Sequence, residues 1–397
     1  MGWPKIANRI IGVSASLIIV YVGYCLLKPL DIHYQFNPPS FSSNQPLKSN
    51  NLMANRGAIG FIDPHQKTVN CRPVGNEATT KQSTASIAKL ITVQVVLAKE
   101  PLLPGHDGKK ITLTSDDEYL YQQEIARNGS SLAVKAGDVF SYRQMLQAIL
   151  LASANNIADS LAIKTFGSLD NYQKTANEWL AEHNLNSTHV GTDASGYDPS
   201  TTSTALDICQ IMGLATQNPV IKEIASMPKA DMPNNKTIKN TNRLVGKSGI
   251  YAGKTGFTDT AGHGVTIASQ IIIAERPVDI IATSLHNDTY PDAFNAVSGL
   301  LETTQANLSS LDLNGLIIAQ APWAKPIAVN PQQSAAAYYW ADQPPKVSFS
   351  ISRQAKINQL GENTLVGNIT VNNNQFALMS TGQIKPATLS WRLTHPF

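Results

Sequence analysis

Strand-like segments stand at the two ends of a long stretch whose middle is almost entirely helical, and that order restricts the fold more than any single residue does. Ala58-Ile59-Gly60-Phe61-Ile62 has the composition of a strand, Asp63-Pro64 supplies a turn, and Thr68 to Cys71 offers a short return strand. Helix-period patterns follow. They run from Ile87 to Leu97, through Met145, Leu146, Ile149, Leu150 and Leu151 after Ser141, and from Ile157 to Ala162. Asp170 can cap another helix reaching His183, and Thr204-Ala-Leu-Asp207 can start one more. Val265 to Ala268 and Val278 to Ala282 then read as strands. A lone hairpin is barely stable in water, so the early strands must meet the late ones in one sheet. The expected class is α+β, with helices packed on an antiparallel sheet.

Both ends of the chain differ from this body. Lys5 and Arg9 precede an uncharged segment from Ile10 to Leu27, which as a helix spans roughly 27 Å, close to a bilayer core. It ends Tyr24-Cys25-Leu26-Leu27-Lys28-Pro29 with no A-x-A-like cleavage site, so an uncleaved single-pass anchor through residues 10–27 is expected. Two charges before it and one after place the remainder of the chain outside the cytoplasm. The polar stretch 32–53, with Pro38-Pro39, reads as a linker following an anchor over 1–31. A catalytic body is expected over 54–311. Residues 312–397 carry prolines and the alternating runs Lys346-Val-Ser-Phe-Ser-Ile-Ser and Leu365-Val-Gly-Asn-Ile-Thr-Val, with a similar run from Ala387 to Leu393. They are expected to form a small β-rich domain.

Composition closes several other routes. A formal charge of +3 without a Lys/Arg cluster argues against a nucleic-acid partner. The eight histidines form no H-x-H or H-x-x-H pair, so no metal site and no cofactor is expected. Three cysteines do not make a disulfide framework. Cys71 and Cys209, far apart in sequence, are expected as buried thiols, with a bridge open to them only in an oxidising compartment.

The chemistry concentrates at three places: Ser86-Ile-Ala-Lys89, Ser153-Ala-Asn155 and Lys254-Thr-Gly256. Ser86 and Lys89 are three apart at the start of a helix, so they share a face and can touch. A serine hydroxyl needs a base, and a lysine with a lowered pKa can serve as one. Ser153 and Lys254 form a second hydroxyl–amine pair suited to relaying a proton to a leaving nitrogen. Asn155 can hold a substrate amide and the Lys89 side chain, and Thr255 with Lys254 can meet a carboxylate. An edge strand with Gly256 lets a peptide add alongside. The backbone N–H groups of Ser86 and Phe257 would then form an oxyanion hole. Each motif has a decoy: Ser226-Met-Pro-Lys229, where Pro228 breaks the turn; Ser42-Ser-Asn44 in the linker; and Lys247-Ser-Gly249, read as a turn before the strand.

The trio in this order is the signature set of penicillin-binding proteins and class A β-lactamases. The neighbourhoods resemble the serine D-alanyl-D-alanine carboxypeptidases in particular. The matching stretches are Gly60-Phe-Ile-Asp63, Ala85-Ser-Ile-Ala-Lys-Leu-Ile-Thr92, Gly129-Ser-Ser131, Leu150-Leu-Ala-Ser-Ala-Asn-Asn156, Asp193-Ala-Ser-Gly196 and Gly253-Lys-Thr-Gly-Phe-Thr-Asp-Thr-Ala-Gly262. The resemblance implies a helical lobe carrying Ser153 across a cleft from the sheet. It also implies attack by Ser86 on the D-Ala-D-Ala end of a peptidoglycan stem peptide, and acylation of Ser86 by β-lactams. Two departures stand out: Asn156 where an aspartate is common, and no arginine between Leu285 and Leu301. No C-terminal amphipathic helix is evident. The alternatives are a DD-endopeptidase on cross-links, a β-lactamase using Glu182 of Glu182-His-Asn-Leu-Asn186, and a catalytically inactive peptidoglycan-binding module.

Overall fold

A computed structural model describes residues 3–41, 54–233, 235–332 and 336–396. The chain divides into two compact units, one of Met1–Gln45 with Ser309–Phe397 and one of Pro46–Leu308. The second unit holds all three motifs.

Its sheet has five antiparallel strands in the order Ile250–Thr258, Gly262–Ile273, Arg276–Asn287, Gly57–Ile62, Val69–Val74. The early hairpin thus joins the late strands as the element order requires, Gly57–Ile62 pairing with Arg276–Asn287 at Ile280↔Phe61. Asp63 makes the turn between the first two strands by accepting from the N–H groups of His65 and Gln66. One helix, Lys89–Lys99, is buried from Lys89 to Leu97 and lies at the centre of the helical core. Around it lie Tyr142–Leu150, Asn155–Phe166, Leu169–Glu182 and Ala205–Gln217. Local capping explains their starts: Ser141 and Gln144 form a reciprocal capping box, and Thr204 accepts from Asp207 N–H. The helix expected to be capped by Asp170 is capped instead by Ser168, which accepts from Asn171 N–H.

Cys71 and Cys209 are bonded to each other, which corrects the expectation of two thiols. The strand Val69–Val74 and the helix Ala205–Gln217 pack together and bring the two sulfurs into one place, although 138 residues separate them. Closing so long a loop restricts the unfolded chain, an effect of about 2–5 kcal/mol. The Cys71→Ser/Cys209→Ser variant is expected to melt roughly 5–15 °C lower, converting at a few degrees per kcal/mol. Calorimetry under non-reducing conditions checks it, and an unchanged melting temperature would show the bridge to be thermodynamically idle.

The first unit corrects the expected linker. His33–Phe36 is not a tether but the edge strand of a six-stranded antiparallel sheet. The order there is His33–Phe36, Ile317–Ala321, Ala324–Pro331, Asn374–Ser380, Leu365–Val371, Val347–Ile351. The physical reason is the alternation His-Tyr-Gln-Phe, which turns Tyr34 and Phe36 toward a core containing Ile32, Ile317, Ile369 and Leu378. The remainder of the expected linker, with the decoy Ser42-Ser-Asn44, lies outside the described residues. The boundary at the far end falls at Leu308/Ser309 instead of 311/312.

The run from Ala387, expected as a strand, contains the short helix Leu389–Thr394, capped by Thr388 accepting from Trp391 N–H. It docks on the end of the long N-terminal helix Trp3–Leu27. There Arg392 Nη1 donates to the carbonyls of Cys25, Leu26 and Lys28, groups that a helix end leaves unpaired. Tyr21 donates to Leu393 O, and Lys28 Nζ to Pro396 O. Within the N-terminal helix, Arg9–Leu27 is long and apolar enough to cross a membrane, with a mean hydropathy of 2.3.

Candidate active site

Ser86 sits in a single 3-10 turn, Ala85–Ala88, and Lys89 is the first residue of the α-helix that follows. The turn is tight enough that Ala85 adopts φ +46°. Lys89 is fully buried, and its Nζ has three partners: Ser86 Oγ at 2.7 Å, Asn155 Oδ1 at 2.6 Å and the Ser195 carbonyl at 2.8 Å. Two of these partners, the amide oxygen and the carbonyl, can only accept. A neutral Lys89 therefore spends both N–H bonds on them and has its lone pair left for the Ser86 hydroxyl. Burial is the main cause that pulls its pKa down, to about 8, against the raising effect of Asp193, Asp159 and Glu124.

Ser195 reaches Lys89 because the loop around it is wound on one carboxylate. Asp193 Oδ1 accepts from the N–H groups of Ser195, Gly196 and Tyr197, and Oδ2 accepts from Asp198. Buried beside it, Asp159 accepts from Ala194 N–H, and desolvation with the Asp193 charge raises its pKa to about 7.

Ser153 and Asn155 enter from the helical side. Ser153 precedes the helix Asn155–Phe166 with φ +60°, a conformation uncommon outside glycine. Its Oγ accepts from Lys254 Nζ at 2.9 Å. Lys254 is fully buried in the edge strand Ile250–Thr258 and donates also to its neighbour's carbonyl, Thr255 O. Burial, and then the charge of Lys89, lower its pKa well below the ordinary lysine value. Thr255 Oγ1 donates to Thr241 Oγ1 at 2.9 Å. Gly256 packs so closely on the turn that a Cβ there would lie 2.8 Å from Thr84 O. Phe257 is exposed at the rim, its ring stacked on His263.

These residues line one cleft of about 480 Å³, with Ser86, Ser153, Asn155, Thr255, Gly256 and Phe257 on its walls and Arg127, Tyr197 and Tyr290 farther out. The decoys stay away: Lys247 is exposed in the turn before the edge strand, and Ser226 and Lys229 flank the end of a different helix. Glu182 is exposed and does not line the cleft. Asn156, the departure from the aspartate pattern, uses both ends of its amide. Nδ2 donates to Leu132 O and Oδ1 accepts from Leu132 N–H, a double contact that an ionised aspartate lacks the donor to make. A guanidinium from outside 285–301 does reach the helix Tyr290–Asn307: Arg243 lies 4.4 Å over the Phe294 ring.

Sequence reading missed two groups on the cleft wall, Arg127 and Thr241, and three behind it, Glu124, Asp159 and the Ser195 carbonyl. The stretches Gly129-Ser-Ser131 and Asp193-Ala-Ser-Gly196 pointed at two of their loops. Nothing local marks Glu124 or Asp159, because what matters is the helix each side chain faces after folding.

Residues 74–286 match the family described as D-alanyl-D-alanine carboxypeptidase. A D-alanyl-D-alanine carboxypeptidase of Mycobacterium tuberculosis, DacB2, is 35% identical over 137 residues, covering 33% of this chain and 46% of that protein. The matched segment is thus less than half the mycobacterial protein's length. A D-alanyl-D-alanine carboxypeptidase of Streptomyces sp. strain K15 is 27% identical over 209 residues, covering 48% of this chain and 69% of that one. Among solved structures, a peptidoglycan synthesis regulatory factor (PBP3) of Streptococcus pneumoniae superposes with a TM-score of 0.62 at 19% identity, over 83% of this chain and 99% of the other. The fold is that of the penicillin-binding proteins.

Proposed function

The chain belongs to the D-alanyl-D-alanine carboxypeptidase family, and from that premise we propose that it removes the terminal D-alanine of peptidoglycan stem peptides through an acyl-enzyme on Ser86. The observation that carries the reading is the pair of lysine–serine contacts facing one cleft, Lys89 with Ser86 at 2.7 Å and Lys254 with Ser153 at 2.9 Å. Each amine serves one half of an acyl transfer.

The substrate backbone lies along the edge strand Ile250–Thr258, with its terminal carboxylate toward Lys254, Thr255 and Thr241. Lys89 takes the hydroxyl proton as Ser86 Oγ attacks the carbonyl carbon of the scissile amide. The oxyanion formed is held by the backbone N–H groups of Ser86 and Phe257. Collapse breaks the C–N bond while Ser153, backed by Lys254, passes a proton to the leaving nitrogen. D-Alanine departs, and water cleaves the ester and restores the Ser86 hydroxyl. Repulsion between two buried ammonium groups keeps both lysines from being charged together, which favours the neutral base. A β-lactam ring offers the same amide geometry and acylates Ser86.

The helix Arg9–Leu27 serves in this reading as a single-pass anchor, with the catalytic unit outside the cytoplasm. The Cys71–Cys209 bond supports an oxidising compartment. Product analysis on a pentapeptide ending in D-Ala-D-Ala and on a cross-linked muropeptide dimer tests the activity. Free D-alanine from the pentapeptide with an intact dimer is expected. Cleavage of the dimer alone would replace carboxypeptidase by endopeptidase.

A further inference from the structure

We propose that Glu124, which belongs to none of the three motifs, is a positioning residue for acylation: it fixes the orientation of the Asn155 amide and, through it, the direction in which Lys89 meets Ser86. The proposal rests on the reading of Lys89 as the base.

Glu124 lies in the helix Ser115–Ala126 behind the cleft wall, 2% exposed. Its Oε2 accepts from Asn155 Nδ2 at 2.8 Å and from Arg127 Nε at 3.1 Å, and its Oε1 accepts from Arg127 Nη2. Arg127 in turn lies 4.0 Å over the Tyr197 ring, so the carboxylate is held from its outer side. Gly129 leaves room for it: a Cβ there would lie 1.9 Å from Glu124 Oε2, so a larger residue would push the carboxylate from its place. The Asn155 backbone is fixed independently, its N–H donating to Ser130 O at 2.8 Å.

An asparagine amide can sit in two orientations that differ by a half-turn, and its neighbours decide between them. An ionised Glu124 can only accept, so it takes the Nδ2 end and turns Oδ1 toward Lys89 Nζ, the 2.6 Å contact. With Oδ1 and the Ser195 carbonyl both accepting, the Lys89 lone pair is aimed at Ser86. Lacking an acceptor at 124, the amide can reverse and present N–H groups to the amine, which then has no reason to point at the hydroxyl.

Glu124 also acts on Lys89 by charge. The charged groups around that amine are Glu124 and Arg127 at the end of one helix, Asp159 from the helix Asn155–Phe166, Asp193 from the adjoining loop and Lys254 from the edge strand. The three acids hold the proton on, while Arg127 and Lys254 push it off. Removing the Glu124 charge lets Lys89 lose its proton at lower pH.

The test is the acylation rate by a labelled penicillin from pH 6 to 10, with melting temperatures, in the full chain carrying Glu124→Gln or Glu124→Ala. Glutamine keeps an acceptor oxygen and loses the charge. Its rate is expected within about threefold of wild type, the effect of less than one hydrogen bond, with the rising limb moved to lower pH. Alanine loses both, and its rate is expected to fall about 10²-fold, the scale of a misaimed catalytic group. An alanine variant within about threefold of wild type, or limbs unmoved in both folded variants, overturns the proposal. Glutamine damaged as badly as alanine does so too, because the carboxylate charge, and not an acceptor for the Asn155 amide, would then explain the loss. Failure of the base assignment is read separately, from Lys89→Ala.

Discussion

Ser86→Ala leaves a labelled penicillin unattached under conditions that label the wild type to completion. The loss is of the nucleophile itself, so the covalent product cannot form. Turnover of a D-Ala-D-Ala peptide falls by more than about 10³-fold, with any residue of rate coming from binding and the oxyanion donors alone. The substitution is mild for the fold. Ser86 is half-buried, and Lys89 keeps its bonds to Asn155 and Ser195 when the hydroxyl is removed. The stability change is one hydrogen bond, about 0.5–1.5 kcal/mol. Labelling is read on a gel beside the melting temperature. A folded alanine variant that still labels would move the nucleophile elsewhere in the cleft.

Lys89→Ala is expected to remove the alkaline-rising limb of the acylation profile along with about 10²–10⁴-fold of its rate, the usual contribution of a positioned base. The sign follows from the role. Only the neutral amine can take the Ser86 proton, so with a pKa of about 8 the rate climbs with pH up to that value and levels above it. Below it each pH unit costs about tenfold. Lys89→Arg is no substitute, because a guanidinium stays protonated throughout the range and cannot accept. The measurement is the second-order rate of penicillin acylation across pH. A limb that persists unchanged in Lys89→Ala would assign it to another group, the buried Asp159 with its raised pKa being the first to examine.

The parts of the site that sequence made legible are those whose geometry is local. Ser86 and Lys89 touch because they are one helical turn apart, and Ser153 and Asn155 flank the start of a helix whose apolar period is plain. The sheet followed from the order of strands and helices. What stayed hidden depends on distant partners. The Cys71–Cys209 bond joins residues 138 apart, and nothing near either cysteine names the other. Tyr34 and Phe36 gave a two-residue alternation, but too short and too polar a one to stand out before its partner strand near Gln320 was known. The helix Leu389–Thr394 owes its place to Arg392 meeting carbonyls at the end of a helix from the other terminus. Glu124 is one acid among several on a polar helix, and only the packing of that helix on Asn155–Phe166 gives it an amide to hold.

The edge strand His33–Phe36 sets a timetable for synthesis. Gln35 and its partner Gln320 are 285 residues apart, and the whole catalytic unit is made between them. As the chain emerges, Gly57 to Asn307 supply every strand of the catalytic sheet and the helix behind it. That unit can therefore mature while His33–Phe36 is still without a neighbour. Its compaction draws the two distant segments together and spares the late pairing most of the entropy of closing so long a loop. A strand made before the whole catalytic unit is thus among the last to be paired, and the waiting edge is only four residues long, which limits its appeal to wrong partners.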